Sequence, residues 1–287
     1  MWDILLIAVF GVALILFWIM LYDGTRFIVR KYTIRNPKLA GNYRAVVLAD
    51  LHNKRYGKGN ELLLQSIEEQ KPDGIWIVGD ILTARPGKSL EPALEVLKAL
   101  AQKYPIFYAN GNHEHRIKLY PETYGDMAEK YAKGLAEIGI RPLVNEHRTL
   151  EDLNLVIYGA EIDKEYYKRF VIPHMEENYL TETLGKPCEE RYTVLLAHNP
   201  DFFPVYAEWG ADLVLSGHVH GGMVRIPGWK GVISPNVRFF PKYDGGKFEE
   251  GKSTMILSRG LGMHTIPIRV FNPSELIVID FEKEQER

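Results

Sequence analysis

A chain of 287 residues, 46% hydrophobic and 25% charged, carries enough apolar side chain for one large core and is neither disordered nor collagen-like. Its net charge of −2, with no Lys/Arg-dense stripe, argues against a dedicated nucleic-acid binder, and no nucleic-acid partner is expected. The single cysteine, Cys188, excludes an intrachain disulfide and a thiolate-rich zinc site, so any metal must be held by His, Asp, Glu or Asn.

Residues 4–22, ILLIAVFGVALILFWIMLY, carry no charge. As a helix the run is about 28 Å long, close to the ~30 Å hydrocarbon core of a bilayer. The basic segment and small-x-small cleavage site of a signal peptide are not visible, and Trp18 and Tyr22 suit an interfacial belt. We expect a single transmembrane helix over 4–22 that makes the cell membrane a partner, a juxtamembrane linker over 23–42, and one domain over 43–287. Arg26, Arg30, Lys31, Arg35 and Lys38 come after the span while only Asp3 precedes it, which places the body on the cytoplasmic side.

Short apolar runs occupy 45–48 (AVVL), 75–78 (IWIV), 106–109 (IFYA), 155–158 (LVIY), 194–197 (VLLA), 213–215 (LVL), 255–257 (MIL) and 276–279 (LIVI). Amphipathic spacing predicts helices near 60–70, 90–103, 124–138 and 201–209. Continuous apolar strands alternating with helices indicate a layered α/β fold, in which ligands gather beyond the carboxyl ends of the strands.

The residues just beyond these strands carry the chemistry. With the run 155–158 set aside, the first five strand ends read Asp50-Leu51-His52, Gly79-Asp80, Gly111-Asn112-His113-Glu114, His198-Asn199 and Gly217-His218-Val219-His220-Gly221-Gly222. In extended chain the two i, i+2 pairs, Asp50/His52 and His218/His220, each put both side chains on one face. A single such motif arises by chance; Asp, His and Asn recurring at successive strand ends are the donors of a divalent-metal site. The mixed N/O set suits Mn²⁺, Fe or Zn²⁺ better than Mg²⁺.

The ordered series DLH, GD, GNHE, AH and GHVHGG resembles the calcineurin-like metallophosphoesterase superfamily over roughly 43–281. The apolar N-terminus and the late stretch 258–276 (SRGLGMHTIPIRVFNPSEL) are similar to its membrane-anchored bacterial branch, which includes enzymes similar to UDP-2,3-diacylglucosamine hydrolases. The resemblance implies a four-layer α/β/β/α sandwich and two divalent metal ions. By motif position Asp50, His52 and His220 bind the first ion, Asn112, His198 and His218 the second, and Asp80 bridges them. His113 faces the substrate, donating a proton to the leaving oxygen or stabilising the transition state. Two such cations neutralise phosphoryl oxygens and turn a bridging water into a hydroxide aligned for in-line attack.

Departures narrow the substrate. Phosphoprotein phosphatases of the superfamily carry G-D-x-V-D-R-G; here residues 79–85 read GDILTAR, so protein-phosphatase activity is not expected. Met223 stands where anchored relatives often have Gln. His115 and Arg116 are candidates for contact with the substrate or for a solvated loop, and His264 for the wall of the cleft. His147 and His174 are expected to be ordinary surface residues. The charged, tyrosine-bearing segment 161–191 is either a cap over the site or a solvated excursion. The expected function is a membrane-anchored phosphodiesterase or pyrophosphatase acting on phosphorylated small-molecule or lipid-linked substrates. The alternatives are a nuclease of the same superfamily and a catalytically silent metal-binding interaction protein.

Overall fold

A computed structural model describes the chain except residues 169, 235–237, 264–266 and 285–287. The helices are α1 (Trp2–Thr25), α2 (Glu61–Glu69), α3 (Glu91–Ala101), α4 (Asn112–Leu119), α5 (Pro121–Tyr124), α6 (Met127–Glu137), α7 (Tyr179–Leu184) and α8 (Phe203–Trp209). The strands are β1 (Phe27–Asn36), β2 (Tyr43–Leu48), β3 (Gly74–Val78), β4 (Ile106–Ala109), β5 (Glu146–Leu150), β6 (Leu155–Ala160) and β7 (Tyr192–Ala197), then β8 (Leu213–Ser216), β9 (Val224–Arg225), β10 (Gly231–Ile233), β11 (Gly246–Glu250), β12 (Ser253–Leu257) and β13 (Ser274–Lys283). Each apolar run singled out in the sequence lies inside one of these strands. The expected helices are α2, α3, α6 and α8, trimmed at their ends.

The strands form a five-stranded sheet, β1-β13-β2-β3-β4, a six-stranded sheet, β11-β12-β8-β7-β6-β5, and the small hairpin β9-β10. Side-chain alternation assigns the layers. Val46, Leu48, Leu276 and Val278 pack on Leu63 and Ile67 of α2, Val96 of α3 and Leu135 of α6. Their neighbours Val47, Ile277 and Ile279 meet Ile157, Leu196 and Leu215 of the second sheet, with Trp76 fully buried between. The far face of that sheet, through Tyr158, Leu195 and Val214, is covered by Leu180 of α7 and Phe203 and Tyr206 of α8. The chain is thus an α/β/β/α sandwich, and central strands covered on both faces read as unbroken apolar runs.

The segment 23–42 is not a linker throughout. Residues Phe27–Asn36 pair in parallel with β13 along their whole length, from Phe27↔Ser274 to Asn36↔Lys283. Three basic residues break the apolar run, and only the period-2 burial marks the edge strand. Arg30 donates to Glu275 (2.9 Å) and Arg35 to Glu282 (2.8 Å) of β13, so two of the flanking cations are engaged by the sheet. Only Arg26 separates β1 from α1, a helix long and apolar enough to cross a membrane, whose apolar stretch is not buried against the rest of the chain.

Candidate metal centre

The carboxyl ends of β2, β3 and β4 in one sheet and β7 and β8 in the other converge on one rim. Asp50 and His52 follow β2, Asp80 follows β3, Asn112 opens α4 just after β4, His198 follows β7, and His218 and His220 follow β8. The expected extended spacing is not how they get there. Asp50 (φ 52°), His52 (50°), Asp80 (55°), His218 (72°) and His220 (52°) all adopt the left-handed region. Each such non-glycine residue costs about 1–3 kcal/mol and persists only where its surroundings impose the conformation. Here they do: the Asp50 N–H donates to Gly79 O (3.0 Å), His52 N–H to Asp80 O (3.0 Å) and His218 N–H to the Asp50 carboxylate (3.1 Å). Glycine is required where backbone crosses the carboxylates, since a Cβ at Gly111 would strike the Asp80 carboxylate and one at Gly217 that of Asp50.

The convergence makes three linked donor clusters, of which His52, Asp80 and His113 form the middle one. One donor atom from each of Asp50, His52 and His220 lie within 4.8 Å of one another, as do those of Asp80, His198 and His218. Asp80 reaches both outer clusters: its Oδ2 is 3.1 Å from His198 Nε2 and 3.7 Å from His52 Nε2. Within the first cluster, His220 Nε2 is 3.3 Å from Asp50 Oδ1 and 3.2 Å from His52 Nε2. Asn112 Oδ1 is buried with no hydrogen-bond partner among the described residues, an acceptor that a cation would satisfy. His198 Nδ1 meets Val78 O at 2.6 Å, which fixes the proton there and turns Nε2 inward as a ligand atom. The donor set therefore fits divalent cations.

The charges agree. Burial, with the charge of Asp80 added, pushes Asp50 up to about 7, and His198 and the His218 N–H offset it only in part. Burial also opposes ionisation of Asp80, but His198 and His113 outweigh it and hold Asp80 well below the usual carboxylate range. For His198, burial disfavours the cation, yet Asp80 and Asp50 prevail and hold it up at about 10. Protons occupy places that metal would take.

His113 Nδ1 accepts the Ala84 N–H at 2.7 Å, so the ring proton sits on Nε2, which points toward Asp80 Oδ2 at 3.9 Å. His115 and Arg116 lie half-buried on the first turns of α4, while His147 and His174 are exposed as expected. His264 falls outside the described residues. The segment 161–191 divides its labour: Tyr166, Met175 and Leu180 are buried against the second sheet, whereas the Tyr167 ring lies 5.0 Å from that of His218 and 6.4 Å from that of His198.

Three supporting residues had no role assigned from the sequence. Glu114, fully buried, accepts from Asp80 N (2.8 Å), Gly111 N (3.0 Å), Ile81 N (2.9 Å) and Tyr108 Oη (2.9 Å), tying the loops after β3 and β4 together. Burial and the charge of Asp80 push it up to about 7. Arg269 is buried and donates to the carbonyls of Gly262, Arg259 and Gly260. Asn272 Nδ2 donates to His220 O (2.8 Å) and Gly222 O (2.6 Å), and its backbone N–H donates to Asp23 at the end of α1 (2.9 Å). Glu114 was visible as the fourth letter of GNHE; buried Arg and Asn in a late loop leave no periodic signal.

Comparison with known proteins gives a consistent result. The family described as calcineurin-like phosphoesterase matches residues 43–222. A Bacillus subtilis protein named uncharacterized metallophosphoesterase YkuE is 26% identical over 257 residues, covering 86% of this chain and 83% of its own. A Campylobacter jejuni metallophosphoesterase, Cj0846, is 27% identical across 88% of this chain, which spans 63% of that protein. The Escherichia coli protein named phosphodiesterase YaeI is 27% identical over 66% of this chain and 64% of its own.

Proposed function

The chain belongs to the calcineurin-like phosphoesterase family and is a hydrolase of phosphoric esters; from that premise we propose a membrane-anchored phosphodiesterase or pyrophosphatase using two divalent metal ions. Its substrates are phosphorylated small molecules or lipid-linked esters reached from the cytoplasmic side. The observation that carries the reading is the pair of donor clusters, Asp50/His52/His220 and Asp80/His198/His218, linked through the group His52/Asp80/His113, with Asn112 Oδ1 buried and unpartnered among the described residues.

Asp50, His52 and His220 would hold one ion and Asn112, His198 and His218 the other, with Asp80 shared between them. Bound there, the cations would supply charge neutralisation of the phosphoryl group and activation of water near neutral pH. The protein's own contributions are positional. Glu114 fixes the loops that carry Asp80 and Asn112. His113, with Nδ1 occupied by a backbone N–H, presents Nε2–H as a hydrogen-bond donor to a phosphoryl oxygen. Protonating Nδ1 would set two N–H groups against each other, which favours oxyanion stabilisation over proton donation. Tyr167 walls the site beside His198 and His218. A diester reading is supported by the relative named phosphodiesterase and by the absence from 79–85 of the second Asp and the Arg-Gly.

The test is hydrolysis by the full chain in detergent, loaded with Mn²⁺, of bis-p-nitrophenyl phosphate, p-nitrophenyl phosphate and single-stranded DNA. Preference for the diester over the monoester, with DNA spared, is expected. DNA cleavage at a comparable rate would make the chain a nuclease, and full metal loading with no hydrolysis would make it a silent metal-binding protein.

A further inference from the structure

An ordered apolar surface lies outside the metal centre. The tip of the β9-β10 hairpin, residues 226–230, reads IPGWK; Trp229 is 60% exposed and Ile226 is exposed beside it. Phe239 (68% exposed) and Phe240 continue the patch, with Phe240 packed on the Trp229 ring at 6.1 Å between centroids. Phe271 adds a further exposed ring. Hydrogen bonds tie the hairpin tip to the body. Buried Arg225 donates to Trp229 O (3.1 Å) and Gly221 O (2.8 Å) and pairs with Asp244 at 3.2 Å, while Phe240 N–H donates to Val232 O (2.9 Å).

Its place relative to α1 decides what covers it. β9 bridges to Val270, the residue before Phe271, and Arg225 N–H donates to Val270 O (3.0 Å). The next residue, Asn272, donates its N–H to Asp23 of α1 (2.9 Å). Asp23 directly follows Tyr22, which stacks on Trp18 at 5.4 Å and carries Arg26 over its ring at 4.4 Å. An aromatic pair capped by a cation at the end of an apolar span marks the level of the headgroups. Through Val270 and Asn272 the hairpin is linked to that end of α1, and only Arg26 separates α1 from β1. The patch thus belongs to a segment tied to the helix end where the span would leave the lipid.

We infer that the β9-β10 hairpin, with Phe239, Phe240 and Phe271, is a bilayer-docking surface that seats the catalytic domain on the membrane from which α1 emerges. This rests on the membrane-anchor reading and deepens it. Trp229 has the amphipathic ring favoured at interfaces, and Lys230 at the tip supplies a cation for anionic headgroups. The hairpin is the direct continuation of the loop bearing His218 and His220, so docking brings the metal centre to the headgroup layer. The substrate class it implies is a phosphoester in the headgroup of an amphiphile resident in that bilayer.

The test uses the full chain, with Cys188→Ser, in phosphatidylcholine/phosphatidylglycerol vesicles. An environment-sensitive fluorophore is placed at Trp229→Cys or, as reference, at Phe10→Cys within α1, and quenching by doxyl-labelled lipid is read. Quenching at both positions is expected. Quenching at 10 but not at 229 overturns the docking surface and leaves the anchor standing; quenching at neither overturns the anchor as well. Shielding of the 229 probe that depends on protein concentration and ignores doxyl lipid would assign the patch to self-association and overturn the inference. In the Ile226→Ser/Trp229→Ser/Phe240→Ser variant, hydrolysis of soluble bis-p-nitrophenyl phosphate should persist. Hydrolysis of p-nitrophenyl hexadecyl phosphate carried in the vesicles should fall about tenfold, as interfacial binding scales with buried apolar area. Equal losses on both substrates would mean that the patch merely supports the fold.

Discussion

Asp80 and His113 occupy adjoining positions and do different work. Asp80 lies 3.1 Å from His198 and 3.7 Å from His52, between the two donor clusters, so Asp80→Asn should lower both metal occupancies together, with turnover falling about 10²–10³. Elemental analysis of the purified variant checks it, and loss of only one ion would assign Asp80 to a single cluster. His113→Ala should keep both ions yet lose about 10² in turnover, as when one preorganised donor is removed from a site of developing charge. Because Nδ1 accepts from Ala84, the loss should be the same for p-nitrophenol and for an alkyl alcohol as leaving group. A loss confined to the alkyl ester would restore proton donation to the leaving oxygen.

At the scale of elements, the centre depends on two ties between loops. Glu114 joins the turn after β3 to the start of α4 through its bonds to Asp80 N and Gly111 N. Glu114→Gln replaces one acceptor oxygen with a donor and leaves buried N–H groups facing it, at about 1–3 kcal/mol each. The variant should unfold at visibly lower denaturant, with an unchanged m-value if the fold is kept. The second tie runs from α1 to a candidate ligand: Asp23 accepts from Asn272, which holds the carbonyl of His220. Asn272→Ala should weaken metal affinity about 10–100-fold, as outer partners of metal sites do. Titration with Mn²⁺ measures it, and wild-type affinity would show that His220 is held by its own turn.

For the molecule as a whole, the buried carboxylates and imidazoles link metal, protons and folding. In metal-free protein Asp50 sits near 7 and His198 near 10, both above their unfolded values. The native state then binds more protons than the unfolded chain. That stability is fully present at low pH and is lost as pH rises, first through about 7 for Asp50 and then through about 10 for His198. Metal displaces those protons, so its affinity should rise with pH and protons should be released on binding. Melting with and without EDTA, from about pH 6 to 9, should show a stabilisation by metal that grows with pH. A gain that shrinks instead would mean that the cluster is unprotonated before metal arrives. Topology is tested at the same scale. With basic residues after the span and none before it, a C-terminal reporter should be active in the cytoplasm, and activity only outside would move the substrate to the other leaflet.

The sandwich strands and the metal-centre residues were legible in the sequence because each rests on local chemistry. Strands buried on both faces must be apolar throughout, and Asp, His and Asn immediately after such runs have few structural reasons to recur. The apolar helix covering 4–22 was legible for the same reason, as a long charge-free run. What tertiary structure alone decided are the relations between distant segments. Residues 27–36 look like a charged linker until Glu275 and Glu282 of β13 take up two of their cations. The left-handed turns that aim Asp50, His52, His218 and His220 are imposed by hydrogen bonds from other loops, so strand periodicity does not foretell them. The bond from Asp23 to Asn272 spans 249 residues, and with it the joining of the apolar helix to the rim of the site. Local patterns record what each segment must bury or bind; which segments meet is settled only when the whole core closes.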